Sequence, residues 1–480
     1  MALLRQTWDN SAFYTNSDDP RIATTIEALK GAIAALAEIC APFSDRIATA
    51  ETLPKDQFNG LIAEVRAIHR QRTDISKKLG NLRTFIASIL SVDSQDARAS
   101  ACKPTLQQLG AEVSQATTAL DVFLTRASDD FIQALIADPD LAELSFSIQH
   151  SRKLKDQLLT VAEEQLVTGL SVNGLHSWGN LYTELAGTLK CTVEGNEVGL
   201  AKAFNLLSSP RREIRSEAWH GVKAAWEGRA ETVAVILNAI NGWRLEETKQ
   251  RGRQRTLHYL DKSCHQSRID RATLDALMAT TYQGREIGQR ALTAMGKVLG
   301  ITPMAPWDLF APPPTAHDAP VFTFEEAIEL VAKAFRQLTP AMGDFAVMMA
   351  EKGWIDAKPT PNRATGAYCT GFSEPREPRI FMTFEGSMNN VLTLAHELGH
   401  AWHNWVMRDL PRYQTYYSMT LAETASIFAE TLVRDALLEQ ASTPEQKLAI
   451  AWEDGAAAVT FLLNIPARFT FEQKLVEARQ

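Results

Sequence analysis

His396, Glu397 and His400 lie within the run Val391-Leu392-Thr393-Leu394-Ala395-His396-Glu397-Leu398-Gly399-His400-Ala401-Trp402. On a helix, residues four apart project from one face. Two imidazoles can therefore converge on one metal ion, with the Glu397 carboxylate beside them to carry protons. Zinc hydrolases use this arrangement. The flanking pattern supports a helix: Val391, Leu394, Leu398, Ala401 and Trp405 recur at steps of three or four as an apolar stripe. Asn389, Thr393, His396, Glu397, His400 and Asn404 gather on the opposite side. His-Glu-x-x-His also arises by chance in proteins that bind nothing, so a third ligand decides between the two readings.

Zinc at a catalytic site takes three protein ligands and a water, and the third can be a carboxylate on a following helix. Beyond Pro411, the run Leu421-Ala422-Glu423-Thr424-Ala425-Ser426-Ile427-Phe428-Ala429-Glu430 reads as helix, with Glu423 and Glu430 two turns apart on one side. Glu423 follows His400 by 23 residues, enough chain to turn back. It is either a solvated charge or the third ligand. Its apolar and small neighbours Leu421, Ala422, Ala425, Ile427 and Phe428 suit a packed helix with one functional edge and favour the ligand. Glu430 then becomes an acceptor that orients a ligand.

With these residues in place, the chain resembles the M3 family of zinc oligopeptidases, and within it the oligoendopeptidase F group, in which His-Glu-x-Gly-His is followed by a Glu-x-x-Ser helix. Gly366-Ala367-Tyr368-Cys369-Thr370-Gly371-Phe372 and Arg379-Ile380-Phe381-Met382-Thr383-Phe384 extend the likeness, which runs from about residue 200 to the end and is looser before. The resemblance implies one zinc per chain on His396, His400 and Glu423, with Glu397 as general base. It also implies a mainly α, zincin-type (gluzincin) fold: a large helical body around a cleft and a small β-sheet beside the metal helix. Internal cleavage of short unstructured oligopeptides by zinc-activated water is the implied activity.

The elements that must position these groups can be read along the chain. At 480 residues, 45% hydrophobic and 22% charged, the chain can fill one very large helical body or two to three domains. Ile22, Ile26, Leu29, Ile33 and Leu36 form one helical stripe, and Leu61, Val65, Ile68, Ile75, Leu79, Leu82 and Ile86 another. Soft boundaries near 110 and 200 divide a helical region 1–110, a helical region 111–200 with a small β interruption, and a zinc peptidase region 201–480. Trp178–Tyr182 and Leu189–Val193 are the expected interruption. Ser208-Ser209-Pro210 predicts a serine-capped helix start, and the prolines from Pro303 to Pro320 an irregular connection, within which Trp307-Asp308-Leu309 resembles a short family motif. Helices are expected at 323–338 and 341–352.

Arg379–Phe384 is the best strand candidate. If its edge is free, its N–H and C=O groups can hold an extended peptide; if it is internal, they cannot. Gly366, Ala367, Phe381 and Thr383 are accordingly the candidate backbone-binding positions for substrate.

A formal charge of −8 offers no electrostatic reason to expect nucleic acid or an anionic membrane as partner. The five cysteines, Cys40, Cys102, Cys191, Cys264 and Cys369, are far apart and odd in number, so reduced, packed thiols are expected. The apolar run at the start is too short for an export signal, and nowhere do eighteen apolar residues follow one another. A cytoplasmic location follows.

No tyrosine follows Tyr417 and no histidine follows His403. The resemblance implies that tyrosines and a histidine beyond this point steady the tetrahedral oxygen. The sequence is therefore expected to be C-terminally incomplete relative to the family and a weak catalyst. The competing expectation is a protein that binds zinc and peptides with little or no turnover.

Overall fold

A computed structural model describes residues 4–315 and 321–479. The principal elements, in chain order, are α1 (Pro20–Cys40), α2 (Phe58–Val92), α3 (Ala97–Arg126), α4 (Val161–Ser171), α5 (Ser177–Thr188), β1 (Lys190–Val193), β2 (Asn196–Gly199), α6 (Arg212–Glu227), α7 (Ala230–Arg251), α8 (Phe324–Leu338), α9 (Pro340–Glu351), β3 (Ile355–Asp356), β4 (Tyr368–Phe372), β5 (Glu377–Phe381), α10 (Met388–Val406), α11 (Met419–Gln440), α12 (Pro444–Val459) and α13 (Ile465–Glu477). They form two compact units. The first comprises Met1–Val172, Gln250–Thr256 and Phe322–Val433, and the second Asn173–Lys249, Leu257–Val321 and Arg434–Gln480.

The first unit holds the largest core. Ile22, Leu29, Ile33 and Leu36 of α1 are buried, as are Leu61, Val65, Ile68, Ile75, Leu79, Leu82 and Ile86 of α2, so both stripes face inward; Ile26 is half-buried. Asp19 starts α1 by accepting the Arg21 N–H at 2.9 Å, with Pro20 at the first position, and Asp96 starts α3 by accepting the Ala99 N–H at 2.8 Å.

Beside this core lies a three-stranded sheet in the order β3-β5-β4, with β3 parallel and β4 antiparallel to β5. Its β3 side is covered by the N-terminal segment: the Ala357 N–H donates to Gln6 O at 2.8 Å and the Asp9 N–H to Gly353 O at 2.8 Å. Arg363 clasps the far end. Its Nη1 is 2.6 Å from Asp356 Oδ1, Nη2 is 2.8 Å from Asp356 O, and Nε is 3.1 Å from Thr383 Oγ1. The sheet leads directly into α10, where Ser387 Oγ accepts the Asn390 N–H at 3.1 Å in a capping box.

The second unit is built on a hairpin, β1 with β2, turned by Glu194 and Gly195 at φ of 50° and 73°. Two successive positive φ values match the right-handed twist of a tight hairpin. Cys191 and Val193 pack on Ala218 and Val222 of α6. Asp308, wholly buried, receives Arg212 Nη2 and Arg215 Nη2, each at 2.9 Å, and the Ala305 N–H at 3.0 Å. Burial would raise the Asp308 carboxyl, but these donors outweigh it and hold the group below the ordinary carboxylate range. The run Pro444–Glu477 meets the length and hydropathy of a membrane span, with 11% of that window buried; length and composition alone carry no membrane role.

Several local expectations change. Trp178–Tyr182 is not strand but part of α5. Ser208 and Ser209 do not cap α6, which starts at Arg212; Ser209 Oγ instead accepts the Arg211 N–H at 3.3 Å. Of the proline-rich segment 302–320, residues 316–320 lie outside the described residues, and Pro306–Asp308 forms a 3-10 turn. The five thiols are free, with Cys40, Cys191 and Cys264 buried.

Asp308→Ala removes the carboxylate partner of buried Arg215, which keeps only the Ser209 and Pro210 carbonyls, and of half-exposed Arg212, and is expected to cost about 3–5 kcal/mol. Urea unfolding followed by circular dichroism should show a clearly lowered midpoint; an unchanged midpoint would remove Asp308 from the stabilising set.

Candidate metal centre

Val391, Leu394, Leu398 and Ala401 of α10 are fully buried, and Trp402 and Trp405 pack on Phe345 of α9 at ring distances of 5.4 and 5.6 Å. This face fixes the helix, so the opposite face presents His396 and His400 together. Their rings lie 4.9 Å apart at 84°.

α11 crosses α10 at Gly399. A Cβ on Gly399 would sit 2.6 Å from Ala425 O, 2.7 Å from the Ala429 Cβ and 2.9 Å from the Ser426 Cα, so only a glycine permits this approach. The packed face of α11 is Ser426, Ala429 and Val433. The larger neighbours on which the sequence argument leaned, Leu421, Ile427 and Phe428, are exposed.

The close approach brings Glu423 Oε2 to 3.2 Å from His396 Nε2 and 3.3 Å from His400 Nε2. One donor atom from each of His396, His400 and Glu423 lies within 4.8 Å of the others, the sole such metal-type group among the described residues. Two imidazole nitrogens and a carboxylate oxygen suit zinc. Two further groups set the ligands. Glu430 Oε1 is 2.5 Å from His396 Nδ1, which leaves Nε2 free to face a metal, and Ser426 Oγ is 2.7 Å from Glu423 Oε2.

Burial works against charge on both histidines. The carboxylates around His396 (Glu430, Glu397 and Glu423) outweigh burial and raise its pKa, whereas burial prevails at His400 and lowers it. Burial also opposes charge on Glu423, but the Ser426 hydroxyl and the two histidines hold its carboxyl below the usual value. Glu397 differs. It is 4% exposed, burial pushes its carboxyl up to about 7, and its Oε2 has no hydrogen-bond partner. A buried, unpartnered oxygen within electrostatic reach of His396 and Glu423 is one from which a carboxylate can exchange protons with a water.

The proposed backbone-binding positions divide. Phe381 is not on a free edge: it pairs with Asp356 of β3 on one side and Tyr368 of β4 on the other, and Thr383 is engaged by Arg363. Of the two readings left open for this segment, the internal one holds for β5 up to Phe381, because β3 supplies a second neighbour. β4 is the edge strand, and exposed Gly366, at φ of 88°, and half-buried Ala367 lead into it. Sequence reasoning passed over Gly399 as a packing position and β4 as the edge. The His403 ring, stacked on Tyr417 at 4.6 Å, also lies close by, with its Nδ1 buried and unpartnered.

A mostly helical chain whose small sheet feeds a His-Glu-x-x-His helix defines a zincin-type fold. The profile of peptidase family M3 matches residues 205–473, and that of oligopeptidase F residues 124–190. The chain belongs to peptidase family M3. It is 25% identical over 394 residues to oligopeptidase PepF of Bacillus subtilis (strain 168), covering 78% of this chain and 57% of that protein. It is 22% identical over 391 residues to group B oligopeptidase PepB of Streptococcus agalactiae serotype III (strain NEM316), covering 78% and 63%. The chain thus spans about three fifths of the length of these relatives. Among solved structures, PZ peptidase A with inhibitor 2 superposes with a TM-score of 0.70 at 17% identity, covering 94% of this chain and 74% of that one. Oligoendopeptidase-F from Enterococcus faecium gives 0.65 at 16%, covering 94% and 75%. At such identities the structural likeness establishes the fold.

Glu430→Ala releases the His396 ring without removing a donor atom to the metal. Zinc affinity, measured by competition with a chromogenic chelator, is expected to fall by about 10–100-fold, and His396→Ala should abolish stoichiometric binding. Undiminished zinc in His396→Ala would place the metal elsewhere.

Proposed function

We propose that the protein is a zinc-dependent metalloendopeptidase that hydrolyses internal bonds of short, unstructured oligopeptides in the cytoplasm, with His396, His400 and Glu423 holding one zinc. Its working region is residues 201–480. The observation that carries this reading is the convergence of three ligand-type atoms, from His396, His400 and Glu423, at the helix that also carries the buried, unpartnered Oε2 of Glu397. Membership of peptidase family M3, and relatives named oligopeptidases, support it.

A zinc bound here supplies a Lewis acid that lowers the pKa of a water and polarises a peptide carbonyl. Glu397, ionised once a cation lies beside it, accepts a proton from the attacking water; its raised pKa in the buried site then suits it to return that proton to the leaving nitrogen. No covalent acyl intermediate is needed. Glu430 keeps His396 in the ligating tautomer, and Ser426 steadies the Glu423 carboxylate. Backbone groups of β4, entered through Gly366 and Ala367 and lying ahead of Gly371, whose carbonyl is taken by Thr84 Oγ1 at 2.9 Å, hold the peptide in extended form, so that affinity is shared across side-chain types.

Neither nucleic acid nor a membrane has a place in this chemistry. An extended bound form also requires that the substrate be unfolded locally, which favours short peptides.

Glu397→Gln should retain zinc and lose hydrolysis by at least about 10²-fold. Rates of parent and variant, measured at equal zinc loading on a quenched fluorescent peptide, check this, and equal rates would remove Glu397 from proton transfer. In a mixed pool of peptides and one folded protein, mass spectrometry should show internal cuts in the peptides and the folded protein intact. Release of single terminal residues, or rapid cutting of the folded protein, would refute the endopeptidase reading.

A further inference from the structure

A cavity of about 370 Å³ lies in the first unit, between the Gly371 end of β4, the turn into β5, the last turn of α10 and the segment 412–417. Three half-buried arginines line it: Arg376, Arg408 and Arg412. A guanidinium offers five N–H donors in a planar fork, and few of those here are used. Arg376 Nη1 donates to the carbonyls of Arg408 (2.8 Å) and Leu410, and Arg412 Nη1 lies 3.4 Å from Ser373 O. Arg408 donates to Trp405 O at 2.8 Å, and its Nη2 is 3.7 Å from Asp409, an exposed side chain.

One carboxylate lines the cavity, that of Glu377, and it already receives Arg379 Nη2 from behind at 3.1 Å. Among the described residues no carboxylate lies within ion-pair distance of Arg376 or Arg412. In a chain of net charge −8, three converging cations with spare donors form a local exception that attracts an anion, and the guanidinium fork matches a carboxylate in two-point geometry.

The cavity adjoins the metal centre. Asn404 lines it one helical turn beyond His400, with its Nδ2 4.0 Å from Cys369 Sγ, and Tyr417, also lining it, stacks on His403. From His400 to the end of α10 at Val406 the helix rises roughly 9 Å, and Arg408 lies two residues beyond it. An extended peptide advances roughly 3.3 Å per residue, so a carboxylate held here belongs to a residue about three or four positions from the bond at the metal.

We infer that this cavity is a carboxylate-recognising subsite for the peptide substrate, with Arg408 and Arg412 as its principal donors and Arg376 bracing the turn between them. The inference rests on the peptidase reading and deepens it. A peptide pairing antiparallel to β4 brings its N-terminal residues toward Phe372 and presents an acidic side chain upstream of the cut. A parallel one would present its terminal carboxylate.

The test is a binding measurement that needs no turnover. Calorimetry on zinc-loaded Glu397→Gln protein compares three peptides of one length: a neutral peptide with amidated C-terminus, the same with one Glu, scanned through the positions upstream of the cut, and the same with a free C-terminal carboxylate. At least one acid-bearing peptide should bind about tenfold or more tighter than the neutral one, and which one identifies the source of the carboxylate. The advantage should collapse toward one in the Arg408→Gln/Arg412→Gln protein and return in part in Arg412→Lys set beside Arg412→Gln. Equal affinities for all three peptides, or an advantage that survives the double substitution, would overturn the subsite. Failure of the zinc-loaded parent chain to cut any peptide would instead defeat the peptidase reading, while this comparison of affinities still stands.

Discussion

Everything at the candidate metal centre depends on two helices touching without a side chain between them. At Gly399 the backbone of α10 meets Ala425 O, Ser426 and Ala429 of α11 at distances that no Cβ on Gly399 could share. The contact is short because the facing surface of α11 is serine and alanine, and its two larger neighbours Ile427 and Phe428 turn outward. With α11 held this near, Glu423 and Glu430, two turns apart, straddle the crossing. One reaches both Nε2 atoms and the other reaches Nδ1 of His396. A methyl group at 399 would push a rigid carbonyl rather than a flexible side-chain tip. The ligands would separate even though none had been altered.

The other half of the site is set by how the small sheet is anchored. Arg363 places its donors at one end of the β3–β5 junction, on Asp356 and Thr383, and the N-terminal segment pairs along the β3 side. Those bonds close one edge and leave β4 as the other, on the side where Asn404 and Cys369 approach one another. Satisfying backbone groups on one edge thus decides where a peptide backbone could be accepted.

What was legible in the sequence follows from the range of the interactions involved. His396, Glu397 and His400 share one helix, and the 3.6-residue period alone places them. Glu423 and Glu430 were legible for a similar reason, their seven-residue spacing on a second helix. The interior position of Arg379–Phe381 was not, because it depends on a two-residue strand at 355–356 that carries no pattern of its own. Ser209 looked like a helix cap because caps and turns use the same hydroxyl geometry; here the turn won, and α6 began three residues later. The role of Gly399 required knowing which helix crosses it. Arg376, Arg408 and Arg412 share no spacing in the sequence that marks them; only the fold gathers them around one cavity.

In the proposed function Glu397 and Glu423 carry the same functional group and take different roles because of their surroundings. The Glu423 side chain is 53% exposed, tied to Ser426 and two imidazoles, and kept ionised, the state in which a carboxylate can ligate a cation. Glu397 is enclosed, lacks a partner on one oxygen, and has its carboxyl pushed up to about 7 by burial. A cation held by the first pulls charge onto the second, and a proton arriving at the second weakens its repulsion of the first, so the two carboxylates are coupled through the space between them. Exchanging their environments would give a poorly ligating acid and a base too weak to take a proton. The division of labour therefore resides in burial, which the crossing at Gly399 and the apolar stripe of α10 together impose.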